Sequence, residues 1–86
     1  MANYTTMTVC EAISGRMNAL LKERNMSLYR LSRISGVLLS TLQFIAQNKN
    51  KNVGMATVIQ IAAGFDMKVH EFLNDPVFDD TNFDFK

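Results

Sequence analysis

The chain has 86 residues, nearly half of them apolar, with one cysteine, one histidine and a formal net charge of +1. That composition fits one small domain able to bury its own core. It excludes an internal disulfide, and a lone Cys10 with a distant lone His70 excludes a zinc site of any usual spacing. No apolar run approaches the ~20 residues of a membrane helix. The N-terminus, MANYTTMTVCEA, lacks the basic stretch and apolar stretch of a signal peptide. The expected setting is cytoplasmic and reducing, with no membrane and no cofactor.

In chain order, residues 1–7 are expected to be a flexible N-terminus. Thr8 and Glu11 fit a capping box, so a first helix should start there and run to about Asn25. Ile13, Met17, Leu20 and Leu21 mark its buried face, and Arg16, Lys22 and Arg24 lie off that stripe. Gly15 weakens this helix by roughly 1 kcal/mol, so a later start near Ser14 is the alternative. Ser27 is a candidate N-cap for a second helix over about 28–35, with Leu28, Leu31 and Ile34 as its apolar stripe. Tyr29 is expected to rest its ring on the first helix. Gly36 can take the left-handed conformation that ends the second helix.

A third helix follows over about 38–47, with Leu42 and Ile45 inward and Ser40, Thr41, Gln43 and Gln47 on its other faces. Asn48 tolerates the left-handed position after it. A short helix, a glycine turn and a helix carrying amides and hydroxyls match the helix-turn-helix of DNA-binding proteins. The polar NKNKN loop leads to a fourth helix over about 55–63, capped weakly by Gly54, with Val58, Ile61, Ala62 and Phe65 on its core side. A short fifth helix over 69–73 buries Phe72 and stops at Asp75-Pro76. The domain thus spans 8–74, and 75–86 form an acidic-aromatic tail. Phe78, Phe83 and Phe85 of the tail either pack on the bundle, pair with a second subunit or remain free. The expected fold is all-α, a compact bundle of five short helices.

The charge is unevenly spread. Between Arg16 and Lys68 there are eight basic residues and two acids, a local +6. A basic body with an acidic tail suits a polyanionic partner, although charge that serves only solubility would look the same.

The ordered segments ISGRMNALLKERNMS, LYRLSRISGV, STL with Ile45, NKNKN and TVIQIAAGFDMKVHEFL resemble the Cro/phage-repressor type of helix-turn-helix domain, the XRE-like family of regulators. The likeness covers about residues 13–73, and the D-P-x-F-D tail is similar to that of a small single-domain subgroup. It implies a lambda-repressor-like bundle that binds double-stranded DNA, most often as a homodimer. In that family the third helix enters the major groove and the second crosses the phosphate backbone. Carried over, Leu39, Ser40, Thr41, Gln43 and Phe44 are candidate base or groove contacts. Gln47, Asn48, Lys49, Asn50 and Lys51 are candidate phosphate contacts. Gln can pair bidentately with adenine and Thr can touch a thymine methyl, whereas Lys and amide donors hold phosphates and set register.

Leu28, Leu38, Leu39, Phe44 and Ile59 depart from the family by being apolar where polar residues are usual. This supports an alternative: a degenerate helix-turn-helix or antitoxin that binds a protein partner through the Leu38/Leu39/Phe44 patch. The leading expectation is a DNA-binding transcriptional regulator, a repressor, dimerising through its fifth helix and tail. No catalytic arrangement is present in the sequence, so no enzymatic activity is expected.

Overall fold

The computed structural model describes residues 7–49, 52–80 and 83. Five α-helices follow in order: α1 Val9–Glu23, α2 Leu28–Ser35, α3 Leu39–Ala46, α4 Met55–Gly64 and α5 Val69–Phe72. A short 3-10 helix, Pro76–Phe78, ends the bundle.

Several boundaries have a local cause. Thr8 caps α1 through a complete capping box: its hydroxyl accepts from the Glu11 N–H at 3.1 Å, and the Glu11 carboxylate accepts from the Thr8 N–H at 2.7 Å. That box starts the helix at Val9 rather than near Ser14, in spite of Gly15. Ser27 caps α2 by accepting from the Arg30 N–H at 3.1 Å. The four longer helices are each followed by a left-handed residue: Asn25, Gly36, Asn48 and Asp66, with φ of 53°, 78°, 57° and 59°. Asparagine and aspartate reach this region more readily than other non-glycine residues. The reversal after α3 is closed by Lys49 N–H donating to the Phe44 carbonyl at 2.8 Å, which satisfies an end carbonyl of the helix.

The core is shared by all five helices. Ala12, Ile13, Met17, Leu20 and Leu21 of α1 meet Leu31 of α2, Leu42 and Ile45 of α3, Val58, Ile61 and Ala62 of α4, Phe65, and Phe72 of α5. Val37, in the turn between α2 and α3, is buried as well. The turn is pinned by two serines: the Ser32 hydroxyl donates to the Val37 carbonyl at 2.8 Å, and the Val37 N–H donates to Ser35 Oγ at 3.1 Å.

Several expectations change. Ile34 is 50% exposed rather than part of a buried stripe. Helical geometry sets it about 60° round from Leu31, on the side away from Ser35. The Leu31–Ser35 line is the one that faces α4. Tyr29 does not lie on α1. It is exposed, and Arg33, one turn along α2, donates to its hydroxyl at 2.9 Å with its guanidinium 5.8 Å from the ring centre. Arg16, expected off the apolar stripe, is an internal clamp. It donates to the Phe72 carbonyl at 2.8 Å and the Glu71 carbonyl at 3.2 Å, and it pairs with Asp75 at 3.2 Å. It thereby satisfies the end of a helix too short to stand alone. Arg24 does the same for α4 by donating to the Phe65 carbonyl beside the Phe65 ring.

The start of the tail is ordered on the bundle. Asp75 accepts from the Val77 N–H at 2.9 Å, and Phe78 packs against Phe72 with ring centres 6.2 Å apart. Met7, expected in the flexible terminus, pairs with Phe83 in an isolated parallel bridge. Residues 1–6 and Phe85 lie outside the described residues.

Gly64 permits the closest helix approach. A Cβ there would lie 2.6 Å from Leu31 Cδ1 and 2.9 Å from Ser35 Cβ. Gly64→Ala is therefore expected to destabilise by about 1–2 kcal/mol, because overpacking outweighs the gain in helix propensity. Thermal unfolding checks this; an equal or higher midpoint would show that α2 and α4 can separate without cost.

Candidate nucleic-acid interface

The side chains with groove chemistry lie on α3, which is held from behind. Leu42 and Ile45 are almost wholly buried, so the opposite side of the helix must face solvent. Ser40, Gln43, Phe44 and Gln47 occupy that side and are exposed. Their i, i+3, i+4 and i+7 spacing makes one continuous strip. Leu38, the residue before the helix, is 71% exposed and gives no side-chain cap. Phe44 is 52% exposed.

The candidate base contacts are therefore brought together unequally. Ser40, Gln43 and Phe44 share the outer face, whereas Leu39 and Thr41 are half-buried on its flanks. Leu38 is the more exposed of the leucine pair, and the position of the turn decided that. Among the candidate phosphate contacts, Gln47 caps the C-terminus of α3 and lies in line with Ser40 and Gln43. Asn48 is exposed, but its amide also donates to Glu11 at 3.4 Å. Lys49 is exposed just beyond the helix. Asn50 and Lys51 lie outside the described residues.

The C-terminus of α3 is tied to α1 by three side chains. Asn18 donates to the Ala46 carbonyl at 3.1 Å, and the Ser14 hydroxyl makes a longer contact with the same oxygen at 3.5 Å. Glu11 receives Asn48 from the next turn of α1. Asn18 and Ser14 thus answer an end carbonyl that would otherwise need water. Sequence reading did not find this role for Ser14 or Asn18. A polar pair at i, i+4 beside the apolar stripe of α1 was the available signal.

The geometry is that of a helix-turn-helix: α2, a left-handed glycine turn, and α3 with one side buried and the other free. The sequence matches the family model for the Cro/C1-type HTH DNA-binding domain over residues 16–77. The chain belongs to this Cro/C1-type family. It is similar in structure to the N-terminal DNA binding domain of SinR from Bacillus subtilis, with a TM-score of 0.67 and 29% sequence identity. That match covers 77% of this chain and 96% of the other. No curated protein matches the chain. As a Cro/C1-type domain the chain is an all-α DNA-binding transcription regulator, of a family whose members are not enzymes. Among the described residues, no helix is long and apolar enough to cross a membrane.

Glu11 links the cap of α1 to the end of α3, and its pKa is lowered from the ordinary value of 4.5. The Thr8 backbone N–H is the main cause; slight burial opposes it, and the Asn48 amide and Thr8 hydroxyl add to it. A carboxylate with a lowered folded-state pKa stabilises above its unfolded value and loses that contribution as pH falls through the folded value. The stability advantage of the native chain over Glu11→Gln should therefore be full at neutral pH and shrink as the pH falls below the ordinary value of 4.5 and through the lowered one. Thermal unfolding across that range checks it; a constant difference would assign the contact to geometry rather than charge.

Proposed function

We propose that the chain is a sequence-specific repressor that lays α3 in the major groove and occupies its operator as a homodimer. The observation that carries this reading is the outer strip of α3, where Ser40, Gln43, Phe44 and Gln47 stand exposed on a helix fixed by its buried side. A helix that presents hydroxyl and amide groups from a rigid support can exchange hydrogen bonds with base edges. The N-terminal domain it resembles is, by its description, a DNA binding domain.

In this reading Ser40 and Gln43 contact bases, with Leu39, Thr41 and Phe44 alongside. Gln47, Asn48 and Lys49, with Asn50 and Lys51 of the same loop, hold phosphates. The functional unit is the helical domain over 8–74, followed by an acidic-aromatic tail over 75–86, and the setting is the cytoplasm, where the DNA lies.

A single small module buries too little surface for tight specific binding, which favours two copies on a two-fold site. Phe78 is already packed on Phe72 of its own chain, so the tail offers less surface for pairing than its aromatic content suggests. The outer side of α4, with Met55 and Ile59 exposed at 59% and 48%, is the better-supported pairing surface.

Lys49→Ala should weaken binding to all duplexes alike and reduce the slope of log affinity against log salt by about 1. Gln43→Ala should instead cost about 1–3 kcal/mol on the preferred site and relax preference at one base pair. Fluorescence anisotropy at several salt concentrations separates the two, and sedimentation of the complex should give two chains per operator duplex. Absence of salt-dependent binding to any duplex would favour the protein-partner alternative.

A further inference from the structure

The recognition helix carries no charge. Its sequence, LSTLQFIA, has no Lys, Arg, Asp or Glu, and neither Leu38 before it nor Gln47 after it is charged. The exposed side chains of α3 and its N-cap include two large apolar ones, Leu38 and Phe44, and two neutral polar ones, Ser40 and Gln43.

Each base pair presents a distinct pattern in the major groove. Guanine offers two acceptors, N7 and O6, and its commonest specific partner is Arg or Lys. Cytosine offers an amino donor that Asp or Glu accepts. The outer strip of α3 holds neither kind of partner. Of the cations outside α3, Arg16 and Arg24 donate to backbone carbonyls and Arg33 donates to Tyr29 on α2, whereas Arg30 on α2 and Lys49 after the helix are exposed but lie off this strip. Adenine offers N7 and the N6 amino group, which one amide can pair with bidentately, and thymine offers a C5 methyl that only an apolar surface rewards.

Leu38 and Phe44 serve no purpose in the fold that would explain their exposure. Both are absent from the buried core and from the side chains packed against it. Polar residues there would leave the buried core cluster unchanged. The polyanion beside this strip suits the positive body of the chain, with Lys49 exposed directly after the helix.

Taking α3 as the groove helix, we infer that it reads A·T base pairs: Leu38 and Phe44 contact thymine methyl groups, and Gln43 pairs with adenine. The half-site under α3 is therefore rich in A·T pairs, and guanine is not its principal determinant. Affinity at these positions comes from apolar contact and amide pairing, while the salt-dependent part comes from the loop after α3.

The test starts with selection of bound sites from random duplex DNA, which should enrich A·T pairs at the centre of each half-site. The selected duplex is then remade with deoxyuridine in place of thymine, one position at a time, which removes the methyl and leaves base pairing intact. Binding should weaken about three- to fivefold at each contacted thymine, the loss expected when one methyl-sized apolar contact is removed. In Leu38→Ala or Phe44→Ala the matching deoxyuridine penalty should vanish, while the salt slope stays unchanged. Both side chains are exposed, so the variants should retain the native circular dichroism spectrum and melting temperature.

Selection of half-sites specified by guanine, or indifference to deoxyuridine throughout, would overturn this inference and leave groove binding by α3 standing. Variants that lose no deoxyuridine penalty, or that bind the duplex more tightly, would likewise overturn it and assign Leu38 and Phe44 to a protein contact. Recovery of no duplex from the selection would overturn both this inference and the reading of α3 on which it rests.

Discussion

The structure depends on how α3 is held. Eight residues of helix cannot stand alone in water, and α3 has neither a side-chain cap at its start nor a charged residue at either end. Burial of Leu42 and Ile45 fixes its rotation, and Asn18 and Ser14 of α1 fix its C-terminus by donating to the Ala46 carbonyl. The Ser32–Val37–Ser35 bonds fix where it begins. With both ends and one side determined, the remaining side is presented to solvent at a set angle. Helix α1 is thus the platform that sets the angle of α3.

The basic residues divide into two groups that a net charge cannot separate. Arg16 and Arg24 lie against helix ends, where their guanidinium groups satisfy carbonyls of α5 and near the end of α4. Such bonds favour Arg over Lys because a planar fork can answer several acceptors at once. Lys22, Arg30, Arg33, Lys49 and Lys68 are exposed, and Arg24 keeps an exposed surface as well. Arg16, half-buried and paired with Asp75, is the one among them drawn away from the surface.

Much of this was legible in the sequence, for physical reasons. Helix ends rest on local chemistry, and Thr8, Ser27, Gly36, Asn48 and Gly54 act where their side chains and backbone preferences direct. The buried side of α1 and α4 follows from helical periodicity over many residues. Where a helix is short, periodicity alone left its orientation open: Ile34 could not be told from a core residue until α4 was seen to pack on Leu31 and Ser35. Contacts between segments far apart in sequence were not legible. Arg16 meeting Asp75, Gly64 admitting Leu31, and Asn18 reaching Ala46 each join residues with no local signal of one another. On the candidate interface, residue types pointed to α3, but only the fold separated exposed Leu38 from half-buried Leu39.

The central claim is that the free side of α3 meets the duplex. Backbone amide NMR spectra recorded during titration with a selected duplex test it most directly. The account predicts that the largest shifts run through Leu38, Ser40, Gln43, Phe44 and Gln47 into Lys49, while Met55, Ile59 and α5 move only as far as pairing of two chains requires. Large shifts confined to α4 or α5, with those of α3 unmoved, would contradict it.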